Sequence, residues 1–375
     1  MKVAFNARTL SAPQLRGWSR YTSNLVRELT QLGVKVYLFS DRPLNEDMLK
    51  GCDSQNLVLV SERGYLYLDW EQRILPQLCQ TYPIDILHCP INYGLPWRKN
   101  CPQVLTLHDA IEKVFYEKEK SILEKWSVPH LYVRGLHKLA QRASDLVITV
   151  SEHAKNDLVN QYHIHSEKIK VIYEAADPNF CEGSVYPLEE LQKKFSIQGT
   201  YLFYVGGLEK RKNLKVLIDA FAALKEPRPQ LVVAGGGQSM EEVKRWVLNQ
   251  GLESQVRLLG WVEDSDLPSL YYHSRAFVYP SLYEGFGLQL VEAMTMGTAV
   301  LASNRTSLPE VLANPEATFN PESASELTHL LRRVLDDASF LQSLRKHSSE
   351  RRQAFHWRKT AEQTLDAYSK LLLMP

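Results

Sequence analysis

The sequence predicts an α/β protein made of two doubly wound, parallel-sheet domains in tandem. Three observations carry that reading. Short apolar runs alternate with helical-period stretches almost from end to end. The rhythm fades once, between residues 177 and 199, where Pro178, Gly183 and Pro187 punctuate a polar linker with one short helical segment, and then it restarts. The chain is 375 residues long, which suits two domains of ordinary size.

The elements follow in order. Residues 2–6 read as the first strand. Tyr21, Leu25, Leu29 and Leu32 then recur at helical spacing, and Gly33 ends that helix. Further strands are predicted at 35–39, 57–60, 85–88, 103–106, 146–150 and 169–172, with the longest helical stretch at about 118–141. Past the linker, 201–205 is a strand. Leu214, Leu217, Ile218, Phe221 and Leu224 share one face of a helix that Asn213 is expected to cap. Strands at 231–234, 256–259, 276–279 and 298–302 complete the second rhythm, and a last helix runs from Trp357 towards Leu373. The expected domains are 1–180 and 181–356, with the helix at 357–375 returning to the first. Ligands of such sheets sit beyond the carboxyl ends of the strands, so two domains facing a central cleft suit a two-substrate enzyme.

Composition narrows the classes. With 44% hydrophobic and 23% charged residues the chain is neither disordered nor fibrous. A net charge of +1 gives no reason to expect nucleic-acid binding. Five cysteines without a C-x-x-C read as reduced thiols. No apolar run approaches the roughly 18 residues of a membrane span, and the first residues read as a strand rather than a secretion signal. A cytoplasmic protein is expected.

Four stretches can carry chemistry. In Tyr283-Glu284-Gly285-Phe286-Gly287-Leu288 a strand passes through a glycine turn into a helix that Gly297 ends. The turn lets a ligand approach the backbone, and the new helix aims N–H groups and a positive dipole end at it, which suits a phosphate. Glu284 and Glu292 can accept hydrogen bonds from sugar and ribose hydroxyls. In Gly206-Gly207-Leu208-Glu209-Lys210-Arg211-Lys212-Asn213 three cations precede a helix, a placement that makes sense opposite a diphosphate. Gly235-Gly236-Gly237 permits close approach but is not a G-x-G-x-x-G. Gly17, at a similar helix entry after the first strand, suits a phosphate or an acceptor.

The E-G-F-G-x-x-x-x-E of Glu284 to Glu292, the G-G-L-x-x-R-K-N turn and Ser303-Asn304-Arg305-Thr306-Ser307-Leu308-Pro309-Glu310 resemble retaining glycosyltransferases of family 4, which have the two-Rossmann GT-B fold. The likeness is dense from 201 to 311 and looser at 17–21, 106–109 and 144–151. It implies that Glu284 contacts the donor sugar, Glu292 the ribose, Lys212 with Arg211 the diphosphate, and the N–H groups of Phe286, Gly287 and Leu288 further donor oxygens. Gly260, Trp261 and Val262 would lie against the base, and His108 near the transferred sugar. Where many members carry an arginine this chain has Gly207, so Arg211 has to supply that charge.

The resulting expectation is a retaining, metal-independent hexosyltransferase. It uses a UDP- or GDP-linked sugar as donor substrate, needs no cofactor, and serves cell-surface polysaccharide or glycolipid synthesis. Glu284, His108 and Lys212 are its catalytic candidates. A C2 epimerase of the same fold and a non-catalytic nucleotide-sugar-binding protein are the alternatives. Asp264-Ser265-Asp266 reads as a helix cap rather than a metal site, and His163 and His165 as surface residues. The acceptor is a sugar, glycan or lipid-linked glycan. Lys113, Lys118, Lys120, Lys125, Arg134 and Lys138, with Trp126, Leu131 and Leu136, form either a solvated helix face or a peripheral membrane contact.

Overall fold

The computed structural model describes residues 1–12, 17–64, 66–117, 128–237 and 240–374, with backbone alone for 128–133. The chain divides into two compact units. One holds residues 1–174 and 356–375, the other 175–355.

The first unit is a seven-stranded parallel sheet. Its strands are β1 (Lys2–Asn6), β2 (Lys35–Ser40), β3 (Leu57–Ser61), β4 (Ile86–Cys89), β5 (Gln103–Thr106), β6 (Leu146–Thr149) and β7 (Ile169–Val171), in the order β3-β2-β1-β4-β5-β6-β7. Central strands are buried on both faces, so they read as unbroken apolar runs; all four residues of β4 and of β5 are buried. The strand order reverses between β1 and β4. The loops leaving these two strands therefore diverge and open a crevice at the carboxyl edge of the sheet.

The helix Gly17–Gln31 buries Tyr21, Leu25, Val26 and Leu29 and packs against the last helix, Trp357–Leu372. A buried polar chain ties that last helix to the sheet. The Tyr368 hydroxyl meets His88 Nδ1 at 2.5 Å, His88 Nε2 meets Thr106 Oγ1 at 2.7 Å, and Thr106 Oγ1 meets the Tyr21 hydroxyl at 3.2 Å. Burial, reinforced by the charge of His108, holds His88 down at about 3, so its ring is neutral and can accept at one nitrogen while donating at the other.

The second unit repeats the plan with six parallel strands: β8 (Tyr201–Val205), β9 (Gln230–Ala234), β10 (Val256–Gly260), β11 (Ala276–Tyr279), β12 (Val300–Ser303) and β13 (Thr318–Phe319). Their order is β10-β9-β8-β11-β12-β13. Its reversal lies between β8 and β11, which places residues 206–213 and 280–287 at the crevice.

Twelve strands fall where the apolar runs put them, with ends shifted by a residue or two. The two residues of β13 are too short to leave a periodic signal. The unit boundary lies at 174/175 rather than 180/181 because Phe180 packs on Tyr271 of the second unit, ring centroids 5.9 Å apart. Two expected caps do not form. Asn213 has φ 54°, and its amide donates instead to the carbonyls of Pro280 and Pro321 at 3.2 and 2.8 Å. Asp266 makes no cap bond; its carboxylate accepts from the Tyr186 hydroxyl at 2.9 Å and from Lys194 Nζ at 2.5 Å. Lys118, Lys120, Lys125 and Trp126, and the side chain of Leu131, lie outside the described residues. Among the described residues no helix is long and apolar enough to cross a membrane.

Replacing Tyr368 by Phe keeps the ring and strands the buried His88 Nδ1. We expect a loss of about 1–3 kcal/mol, read as a lower denaturation midpoint. An unchanged midpoint would mean that the last helix is held by its apolar face alone.

Candidate donor site in the second unit

At the crevice between β8 and β11 the sequence-predicted residues converge. The turn Lys210–Lys212 follows β8, and Arg211 and Lys212 are both buried. Lys212 Nζ donates to Glu284 Oε1 at 2.8 Å and to the Tyr279 hydroxyl at 2.6 Å. Ser281 Oγ and the Tyr279 hydroxyl donate to the same Glu284 oxygen at 2.6 and 3.0 Å. Arg211 Nη1 lies 3.0 Å from the other oxygen, Oε2, and donates to the Tyr283 carbonyl at 2.7 Å. One carboxylate thus gathers two cations from the turn after β8 and two hydroxyls from the end of β11 and its loop.

The electrostatics follow from burial and charge. Burial alone would raise Glu284, but Lys212 and Arg211, with the hydrogen bonds from Lys212 and Ser281, hold it below an ordinary glutamate. Burial presses Lys212 below an ordinary lysine, assisted by Arg211; Glu284 compensates only in part. Tyr279 stays a protonated donor, since burial and then the Glu284 charge push it well above an ordinary phenol.

Glu209 completes the cluster. Its Oε1 accepts from Arg211 Nη2 at 2.9 Å, and its side chain is 40% exposed. It also fills the space over Gly207, where an added Cβ would lie 1.9 Å from Glu209 Oε2. Gly207 is thus covered by a carboxylate that pairs with Arg211.

The glycine turns form the adjoining floor. Gly206 N–H donates to the Ala234 carbonyl and Gly235 N–H to the Gly260 carbonyl. Gly235 has φ +139°, and a Cβ there would fall 1.9 Å from the Gly206 oxygen, so only glycine fits. Beside it Trp261 is 62% exposed, while Val262 is buried. Gly287, φ +96°, starts the helix Leu288–Thr295, and a Cβ there would meet Leu308 at 2.5 Å. Phe286 is buried, and the N–H groups of Gly287 and Leu288 belong to the end of the helix that lacks intrahelical acceptors. Glu292, one face further along, is buried and accepts from the Tyr271 hydroxyl at 2.9 Å.

The segment 303–310 braces the turn from below. Ser307 Oγ donates to the carbonyls of Glu284 and Phe286, Ser303 Oγ to that of Ser281, and Thr306 Oγ1 accepts from Glu284 N–H. Thr306 does this at φ 55°, an unfavourable conformation for a β-branched residue. Residue patterns alone did not single out Tyr279, Ser281, Tyr271 or this brace as partners of the two glutamates. Only the strand order brings them together.

Gly17 and His108 belong to the first unit. Gly17 opens the helix Gly17–Gln31, with nothing within 4 Å of an added Cβ. His108 is buried; its Nδ1 lies 2.8 Å from Glu174 Oε1 and its Nε2 3.2 Å from the Pro90 carbonyl. Burial opposes a charge on the ring, but the Glu174 hydrogen bond and charge outweigh it and raise the group above an ordinary histidine. Each ring nitrogen faces an oxygen, an arrangement that favours the protonated ring.

Two doubly wound parallel sheets in tandem, the second with a cationic, glycine-floored crevice, are the architecture of GT-B glycosyltransferases. The sequence comparisons specify the family. "Glycosyltransferase Family 4" matches residues 15–180 and "Glycosyl transferases group 1" residues 189–352. The chain belongs to the family 4, group 1 glycosyltransferases. It is 30% identical over 288 residues to the serotype-specific mannosyltransferase WbdA of Escherichia coli, an alignment covering 74% of this chain and 34% of that protein. The chain thus spans about a third of WbdA's length. It is 28% identical to O-antigen chain mannosyltransferase B of Escherichia coli, over 99% of this chain and 100% of the relative. Among solved structures, sucrose-phosphate synthase of Thermosynechococcus elongatus shares the fold, with a TM-score of 0.74, 21% identity and coverage of 99% and 98% of the two chains.

The His108–Glu174 pair makes a prediction with a definite sign. A raised histidine stabilises the fold fully below the unfolded value, about 6.5, and the contribution is lost as pH rises through the folded value. Glu174→Gln should therefore lower Tm more at pH 6 than at pH 9. Equal losses at both would show that the ring is neutral in the folded protein.

Proposed function

We propose that the protein transfers a hexose from a UDP- or GDP-linked sugar to a hydroxyl of a glycan or lipid-linked acceptor, with retention at the anomeric carbon. The observation that carries this reading is the Lys212–Arg211–Glu284 cluster beside a helix N-terminus at the reversal of the second sheet. Departure of a nucleoside diphosphate develops negative charge. Lys212, Arg211 and the N–H groups of Phe286, Gly287 and Leu288 stabilise it, and a preorganised donor of this kind is typically worth about 3 kcal/mol.

Glu284 is anchored through Oε1 by three donors. Its Oε2 faces Arg211, so a diphosphate that draws Arg211 away frees that oxygen for a sugar hydroxyl. Glu292 holds the ribose, oriented by Tyr271, and the exposed Trp261, with Gly260 and Val262, offers a surface for the base. His108 lies in the first unit, where Glu174, against the opposing effect of burial, raises it above an ordinary histidine and favours its protonated form. No carboxylate in the second-unit cluster is placed as a covalent nucleophile, so we favour same-face substitution with the leaving phosphate helping to deprotonate the acceptor. Cationic side chains and the helix end take the part a metal plays elsewhere, and no cofactor is invoked. The two relatives named as mannosyltransferases favour a mannosyl donor and a role in surface polysaccharide synthesis.

Lys212→Ala and Glu292→Gln should each cut turnover of GDP-mannose or UDP-glucose at least tenfold, with activity in excess chelator unchanged. Near-normal rates in both variants would remove the site assignment, and full metal-reversible loss in chelator the metal-independent mechanism. Glu209 competes with the diphosphate for Arg211. Glu209→Gln should therefore tighten GDP or UDP binding about two- to fivefold at low salt, the range of a partly exposed ion pair. Calorimetric titration checks this, and weaker binding would make Glu209 a ligand instead of a placeholder.

A further inference from the structure

Two of the five cysteines meet on neighbouring segments of the first unit. Cys79 lies near the end of the helix Leu75–Thr81, and Cys101 two residues before β5. The helix and the approach to β5 are laced together on either side of Cys79. Asn100 Nδ2 donates to the Pro76 carbonyl at 2.9 Å, and Asn100 Oδ1 accepts from Gln80 Nε2 at 3.1 Å. With residue 100 held in this way, the thiols of Cys79 and Cys101 hydrogen-bond to each other. Cys79 is buried in the core of the sheet, and Cys101 is half-buried and packs on the same core.

The contact is polarised. Cys79 donates its S–H and the Cys101 sulfur accepts. That hydrogen bond, helped by the Leu87 backbone, holds Cys101 below an ordinary thiol, against burial and the charges of Asp145 and Asp85. The same hydrogen bond, together with burial, pushes Cys79 up. The more accessible sulfur thus has the greater thiolate character, and the thiolate is the nucleophile. A protonated thiol stands beside it.

The other three thiols have different neighbours. Cys89 donates to the Tyr93 carbonyl at 2.7 Å, Cys181 lies 3.4 Å from Ser184 Oγ, and Cys52 hydrogen-bonds Thr30. Among the described residues no three His, Cys, Asp or Glu side chains are grouped to hold a metal ion, whereas a structural zinc site takes four ligands. An accessible thiolate poised next to a second cysteine is instead the arrangement that oxidants convert to a disulfide.

We propose that Cys101 and Cys79 are a peroxide-responsive pair that closes to a reversible disulfide. The Cys101 thiolate attacks one oxygen of a hydroperoxide. An S–O bond forms, the O–O bond breaks, and the departing oxygen takes up the proton that Cys101 had released. The Cys79 sulfur then attacks the sulfur of the Cys101 sulfenic acid. The S–S bond forms, the S–O bond breaks, and hydroxide leaves with the Cys79 proton as water. Two thiols are oxidised, one hydroperoxide is reduced, and a dithiol reductant restores the pair. The link joins the helix Leu75–Thr81 to the entry of β5, around β4 and the loop that leaves it. It is independent of the glycosyltransferase reading.

The test is peptide mapping by mass spectrometry, without reduction, of the full chain before and after hydrogen peroxide. A peptide pair joined through Cys79 and Cys101 should rise at least tenfold over the reduced control and be separated by dithiothreitol. Cys89 shares a tryptic peptide with Cys79, so Cys89→Ala should keep the link and Cys79→Ser should abolish it. In Cys79→Ser, Cys101 should stop at the sulfenic acid and be trapped by dimedone; in Cys101→Ser, Cys79 should remain a thiol. No linked pair in the wild-type chain, or a link that survives Cys79→Ser, overturns the proposal. Dimedone labelling of Cys79 in place of Cys101 overturns the order of attack.

Discussion

The second unit is organised around one buried carboxylate. Glu284 joins the turn after β8, the end of β11 and the glycine turn through Lys212, Arg211, Tyr279 and Ser281. Taking an ion pair out of water costs nearly what the pairing returns, but removing one member leaves the others charged and unpaired. The cluster is therefore less a source of stability than a device that fixes where the two loops after β8 and β11 must sit. The donor groups are held in position before any ligand arrives, which is the condition under which electrostatic catalysis works.

Glu209 and Gly207 show how the arrangement is balanced without a ligand. Arg211 and Lys212 pair with Glu209 and Glu284, two cations with two carboxylates. The carboxylate of Glu209 is the more exposed of the two, and that of Glu284 is buried. A side chain at position 207 would meet Glu209, which occupies that space and pairs with Arg211 of the same turn.

Much of this was legible in the residues. Parallel strands buried on both faces leave apolar runs that mark themselves, so nearly every strand could be placed. The strand–glycine–helix grammar of 279–297 and the cations before residue 213 pointed to the crevice because backbone geometry demands those residue types locally. What stayed hidden depends on strand order. Tyr279 and Ser281 read as the ordinary end of a strand until β8 is laid beside β11. Asn213 and Asp266 look like caps by type, but each finds a distant partner: carbonyls at 280 and 321 for one, Tyr186 and Lys194 for the other.

The return of the helix Trp357–Leu372 to the first sheet, fastened through Tyr368 and His88, makes the second unit an insertion within the first. On the ribosome the two halves then mature in the reverse of their reading order. Residues 175–355 are contiguous and can collapse while later codons are still being translated. The amino-terminal sheet, though made first, has to wait with an open seam until a segment some 180 residues downstream of its last strand is delivered.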